Sequence, residues 1–113
     1  MRTYLRSKIH KARVTAADLN YIGSITIDSE LMERADIAEW EKVLVVDNTN
    51  GSRLETYVIA GARGSCTIQM NGAAAHLIRT GDEVIIMTFE TTDDPKPPRQ
   101  ILVDPKNRYV RDI

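Results

Sequence analysis

Cysteine is nearly absent. Cys66 is the only one among 113 residues, so no intrachain disulfide can form, which suits a reducing compartment. Two histidines and no cysteine pair fall short of a zinc ligand set. Aromatic residues make up 5% of the chain, with one tryptophan and one phenylalanine, too few for a base-stacking series. Neither sign of charge prevails. Fifteen Lys and Arg stand against 16 Asp and Glu, interspersed, for a net charge of −1. The one semi-basic stretch, Arg2 to Arg13, is broken by apolar residues, so no basic stripe points to nucleic acid. No apolar run approaches the ~20 residues of a membrane span. The N-terminal Met1-Arg2-Thr3-Tyr4-Leu5-Arg6 lacks the apolar run of a signal peptide. The expected location is cytoplasmic, with no membrane partner. A phosphate-cradling glycine motif is missing. Ser24, His10 and Asp18 include the residue types of a hydrolase triad, but no nucleophile elbow surrounds Ser24. Internal repeats and low-complexity segments are also missing.

What is present is enough for one domain over residues 1–113, with 42% hydrophobic residues to build a core. A chain this short does not easily enclose a deep pocket alone, so an oligomer is expected. The β-branched run Val43-Leu44-Val45-Val46 reads as a strand. It leads into Asp47-Asn48-Thr49-Asn50-Gly51-Ser52, whose Asn-Gly is a strong hairpin signal, and Leu54–Ile59 reads as the returning strand. Ile25-Thr26-Ile27 begins a strand directly after Ser24. Ser65–Met70 alternates with period two and places Cys66 on a strand as an inert thiol. Glu83–Phe89 is apolar enough for partial burial on both faces. Asp93–Pro98 is a loop, Gln100–Asp104 a last strand, and the final residues are expected to fray. Two short helices are expected, each of about two turns. One is Ser29–Ala35, with Ser29 as N-cap; the other is Ala73–Ile78. Many short strands with few helices indicate a mainly β protein, a small β-barrel.

Several residues carry chemical possibilities. A serine hydroxyl that cuts its own chain attacks the preceding carbonyl. Gly23 before Ser24 gives the backbone freedom and leaves that carbonyl unhindered. The attack passes through an oxyanion that needs a donor. Alone, Gly23-Ser24 reads as a turn. Lys8 and His10, two apart on a strand, share a face. Taken alone they read as an exposed basic strand edge. The Arg53 guanidinium suits a carboxylate. A Thr56 hydroxyl suits the Gly23 carbonyl, and a Tyr57 hydroxyl suits proton delivery to a carbanion. By themselves, Tyr57 reads as core and Arg53 as surface. Asn71-Gly72-Ala73-Ala74-Ala75-His76 has side chains small enough for a ligand to approach the backbone, or for a short helix to pack closely. Trp40 reads as packing.

In combination and order, Lys8-Ile9-His10, Tyr21-Ile22-Gly23-Ser24, Thr49-Asn50-Gly51, Thr56-Tyr57, Arg63-Gly64-Ser65 and Asn71–His76 resemble the pyruvoyl-dependent aspartate 1-decarboxylase family. The resemblance extends through Phe89. Val43–Asp47 and the tail after Phe89 depart most from the family pattern. Val46-Asp47 stands where the family has a tryptophan or another residue before the turn, and no role is assigned there.

The resemblance implies a six-stranded double-psi β-barrel, a homotetramer with sites between subunits, and a carboxy-lyase that makes β-alanine from L-aspartate for pantothenate. It implies autocatalytic cleavage at Gly23–Ser24 into a small β chain, 1–23, and a large α chain, 24–113. Ser24 becomes the covalent pyruvoyl cofactor, with no metal and no pyridoxal phosphate. The substrate amine then forms a Schiff base with that group, CO2 leaves, and Tyr57 protonates the carbon. Thr56 assists cleavage. Lys8 and Arg53 handle the aspartate carboxylates, and Asn71, Gly72, Ala73 and Ala74 line the site, with His10 and Tyr21 nearby. Some members need a maturation factor. The competing readings are a non-catalytic barrel that binds a partner or metabolite, and an unprocessed zymogen of the decarboxylase.

Overall fold

Alternating burial along short β-branched strands builds the molecule. The computed structural model describes residues 1–113. Its strands are β1 (Arg2–Arg13), β2 (Ala16–Asp18), β3 (Ser24–Asp28), β4 (Lys42–Asp47), β5 (Arg53–Gly61), β6 (Ile68–Asn71), β7 (Glu83–Thr92), β8 (Arg99–Val103) and β9 (Tyr109–Asp112). Two helices, α1 (Ser29–Ala35) and α2 (Ala74–Leu77), interrupt them.

The strands form one sheet in the order β2-β6-β3-β5-β4-β7-β1-β8-β9. β1 lies near one end of that order, yet only Val14 and Thr15 separate it from β2 at the other end. A strand rises about 3.3 Å per residue, so the sheet must curl until its ends meet. The closure is visible at Thr15, whose backbone N–H donates to the Ile68 carbonyl at 2.8 Å. Its hydroxyl makes further bonds to the Ile68 backbone at 3.0 Å. Six strands, β6-β3-β5-β4-β7-β1, thus form a barrel, β2 seals it, and β8 and β9 are added outside.

The core lies inside that barrel. Val43 and Val45 of β4, Val84 and Ile86 of β7, Ile25 and Ile27 of β3, and Ile68 and Met70 of β6 are buried at alternate positions. Each such side chain contributes roughly 1.5–3 kcal/mol when fully buried. The partial burial expected on both faces of β7 is present, because Ile85 and Met87 are half-buried between the inward residues.

Four local expectations are corrected. The N-cap of α1 is Asp28 rather than Ser29. Asp28 Oδ1 accepts from the Glu30 and Gly64 amides at 2.9 Å, and Oδ2 accepts from Cys66 N at 2.8 Å. Two carboxylate oxygens satisfy three amides, more than one hydroxyl can. Ser29 instead donates to the Gly61 carbonyl. Cys66 is not on a strand: it sits half-buried in a left-handed turn at φ 59°, and β6 begins only at Ile68. α2 is a single turn, with no side-chain cap. The C-terminal residues form β9 on β8.

Candidate active site

Register brings the proposed cleavage point to its neighbours. β3 runs parallel to β5 with Ile25 opposite Val58. One and two residues back, Ser24 is level with Tyr57 and Gly23 with Thr56. On the other side β3 runs antiparallel to β6, with Ser24 opposite Asn71. Three strands therefore converge where β3 begins.

Ser24 is 1% exposed and Asn71 is fully buried. Asn71 Nδ2 donates to Ser24 Oγ at 2.9 Å and to Thr26 Oγ1 at 3.0 Å. Asn71 Oδ1 accepts from Gln69 Nε2 at 2.9 Å. Both amide ends are thus used, which fixes the Asn71 side chain. Ser24 Oγ donates to the Ile22 carbonyl at 3.2 Å. A hydroxyl that bonds two residues upstream is folded back over the Gly23–Ser24 peptide.

Gly72 holds the loop before β3 close. Its φ is +68°, and a Cβ there would lie 2.7 Å from Gly23 Cα, 2.9 Å from Gly23 N and 3.0 Å from the Tyr21 carbonyl oxygen. Only glycine permits that approach. Gly23 itself has room, with nothing nearer than the Asn71 carbonyl oxygen at 4.0 Å. Chain freedom, rather than crowding, is what glycine offers at position 23.

Beside this loop opens a cleft of about 420 Å³. Gly23, Thr56, Tyr57, Asn71, Ala73 and Ala74 line it, all residues the sequence singles out. Leu54, Glu55 and Leu77 also line it and were not anticipated. Alternation along β5, two residues before buried Val58, would have flagged Thr56 and Leu54 as inward. Nothing local marks Leu77. Tyr57 stands on the face opposite Val58 and stacks on Trp40, with ring centroids 6.0 Å apart and planes at 24°.

Other expected residues lie elsewhere in the single chain. Lys8 is on β1 and does not line the cleft. Arg53 is exposed at the start of β5 and does not line the cleft. Tyr21 is 54% exposed in the loop before β3. His10 is half-buried at an irregularity in β1, with Nδ1 unpartnered. Burial, followed by the charges of Lys8 and Lys11, holds its imidazole below the usual value. The only formal charge lining the cleft is Glu55, whose Oε2 lies 2.7 Å from Lys42 Nζ.

A model of the aspartate decarboxylase family matches residues 1–110, past Phe89, where the resemblance of individual motifs ends. The chain belongs to the aspartate decarboxylase family. Its barrel is the double-psi β-barrel of that family. The enzyme is a lyase that decarboxylates L-aspartate for pantothenate biosynthesis, using a pyruvoyl group generated autocatalytically. Among solved structures the chain is similar to the computationally designed protein msDPBB_sym2. Identity is 18% and the TM-score 0.48, over 77% of this chain and 99% of that one. No helix is long and apolar enough to cross a membrane.

Proposed function

We propose that Ser24 is the residue converted to the pyruvoyl group, through self-cleavage at Gly23–Ser24 into chains 1–23 and 24–113. The observation that carries this reading is the enclosed Ser24 hydroxyl, donating to the Ile22 carbonyl and accepting from Asn71 at 2.9 Å. The Ser24 Oγ attacks the Gly23 carbonyl carbon. A C–O bond forms and the peptide C–N bond breaks, leaving Gly23 as an ester on Ser24 Oγ. Loss of the Ser24 α-hydrogen with cleavage of its Cβ–O bond frees Gly23 as a carboxyl terminus and leaves dehydroalanine. Water hydrolyses the dehydroalanine to the pyruvoyl group with release of ammonia. Thr56, level with Gly23, supplies the donor for the oxyanion. Asn71 fixes the rotamer of the attacking hydroxyl. The donor set fits the group: the position is dry, hydrogen-bonded and open to the cleft on the Gly23 side.

Once formed, the pyruvoyl group supplies the electron sink for loss of CO2. Asn71, Gly72, Ala73 and Ala74 shape the wall where substrate lies, and Tyr57 returns a proton to the α-carbon. L-Aspartate brings two carboxylates, yet the charge on the cleft wall is the Glu55 carboxylate, paired with Lys42. A dianion needs cations. Lys8 and Arg53 fill that need from a neighbouring copy in a homotetramer, with His10 and Tyr21 at the same boundary. Exposed Leu19, Ile22 and Leu77 beside the cleavage loop support coverage by another copy.

Two experiments test the reading. Ser24→Ala is expected to fold normally, stay uncut and form no β-alanine. Activity in that variant would overturn the assignment. Mixed assembly of Ser24→Ala and Lys8→Ala chains is expected to restore activity that neither has alone; no restoration would place Lys8 outside the neighbour's site. Cleavage of the purified chain alone separates self-processing from dependence on a maturation factor.

A further inference from the structure

The only tryptophan in the chain is in an uncomfortable place. Trp40 has φ +73°, a left-handed conformation that bulky side chains avoid. It is also 68% exposed, so core burial does not account for it. Two backbone bonds pin its turn against β5. Trp40 N donates to the Val58 carbonyl at 2.8 Å, and Val58 N donates to the Glu41 carbonyl at 3.1 Å. Glu41 in turn accepts from Ala38 N and from the Arg6 guanidinium, each at 2.9 Å. The turn is thus fixed at the residue following Tyr57. The indole lies over the Tyr57 ring, 6.0 Å between centroids and 24° between planes.

We propose that Trp40 is a positioning residue for Tyr57, holding the phenol ring in the orientation from which it delivers a proton to the substrate carbon. The inference rests on the proton-donor role of Tyr57 given above. Tyr57 lines an open cleft and stands outside the hydrophobic core, so no core packing fixes its ring. A flat partner restricts the ring while leaving the hydroxyl free. Proton transfer requires hydrogen-bond reach, and small misplacements are costly in rate. The backbone strain at position 40 then has a functional counterpart in the neighbouring ring.

The test uses assembled protein with rates corrected for pyruvoyl content. Trp40→Asn, which tolerates the left-handed turn, is expected to lower kcat about tenfold or more and to leave KM within about twofold. Trp40→Phe, which keeps a flat face, is expected to recover most of that loss. In the Tyr57→Phe background, Trp40→Asn is expected to change nothing further, because residues acting as a unit are not additive. If Trp40→Asn fails to assemble, Trp40→Leu replaces it, apolar but without a flat face. Full kcat in either variant overturns the inference, as does an equal loss in the Tyr57→Phe background. Unchanged kcat in Tyr57→Phe alone removes the proton-donor reading itself, an outcome distinct from a slow Tyr57→Phe beside a fully active Trp40→Asn.

Discussion

Replacing Gly72 by alanine tests the geometry of the cleavage loop. The new Cβ meets Gly23 Cα at 2.7 Å, Gly23 N at 2.9 Å and the Tyr21 carbonyl oxygen at 3.0 Å. All three are backbone atoms, so no side chain can rotate away. Relief requires the segment before β3 to move off the β6–α2 turn. The left-handed backbone at φ +68° adds its own cost, about 1–2 kcal/mol for an L residue. Overpacking adds about 1–3 kcal/mol. The sum, about 2–5 kcal/mol, is a large share of the roughly 5–15 kcal/mol that stabilises a domain. Gly81 supplies the control, with φ +93° and nothing within 4 Å of its notional Cβ. Gly81→Ala therefore carries the strain without the overlap. Urea unfolding is expected to rank wild type above Gly81→Ala, and Gly81→Ala above Gly72→Ala. Intact mass is expected to show slowed or absent cleavage only in Gly72→Ala. A Gly72→Ala chain with the stability of Gly81→Ala and normal cleavage would refute the reasoning.

Two further substitutions bear on stability and maturation. Asp47 is 1% exposed; its Oδ1 accepts from Thr49 N at 2.7 Å and Asn50 N at 3.2 Å, while Oδ2 is unpartnered. Burial, then the neighbouring Asp82 carboxyl, raises the Asp47 carboxyl, and the same pairing lowers Asp82. Because the folded value for Asp47 is raised, its favourable contribution is complete below the unfolded value near 3.8 and is lost as pH rises through the folded one. Asp47→Asn keeps the acceptor, adds a donor toward Asp82 and cannot ionise. It is expected to gain about 1–2 kcal/mol at neutral pH, with a smaller gain in acid; urea midpoints across pH check this, and a loss at neutral pH would contradict it. Thr56→Ala is expected to fold and to cleave about a hundredfold more slowly, the scale of one lost oxyanion donor. A time course by mass follows it, and cleavage at the normal rate would remove Thr56 from the oxyanion role.

The barrel strands were legible because apolar and β-branched runs are local. Val43–Val46 and Glu83–Phe89 each announce a strand by composition, and the structure buries Val43, Val45, Val84 and Ile86 on one face. The errors come from partners distant in sequence. Cys66 leaves the strand pattern because Asp28, far upstream, captures its amide at 2.8 Å. That same capture makes Asp28 the better cap than the adjacent Ser29. Within the site, Ser24, Thr56, Tyr57 and Asn71 were named from motifs, and pairing of β3 with β5 and β6 draws them together. Gly72 was read as a lining residue, while its tight contact with Gly23 needed coordinates. Leu77, Glu55 and the Trp40–Tyr57 stack depend on which elements meet, so no local pattern announces them. Lys8 and Arg53 were grouped with Ser24 by resemblance alone, and within one chain neither lines the cleft.

Intact mass of the purified protein under denaturing conditions tests the central claim most directly. The account predicts two chains, residues 1–23 and 24–113, with the larger lighter by one ammonia than simple hydrolysis at Gly23–Ser24 would leave it. A larger chain that keeps an intact N-terminal serine, or an active protein that remains one uncut chain, would contradict it.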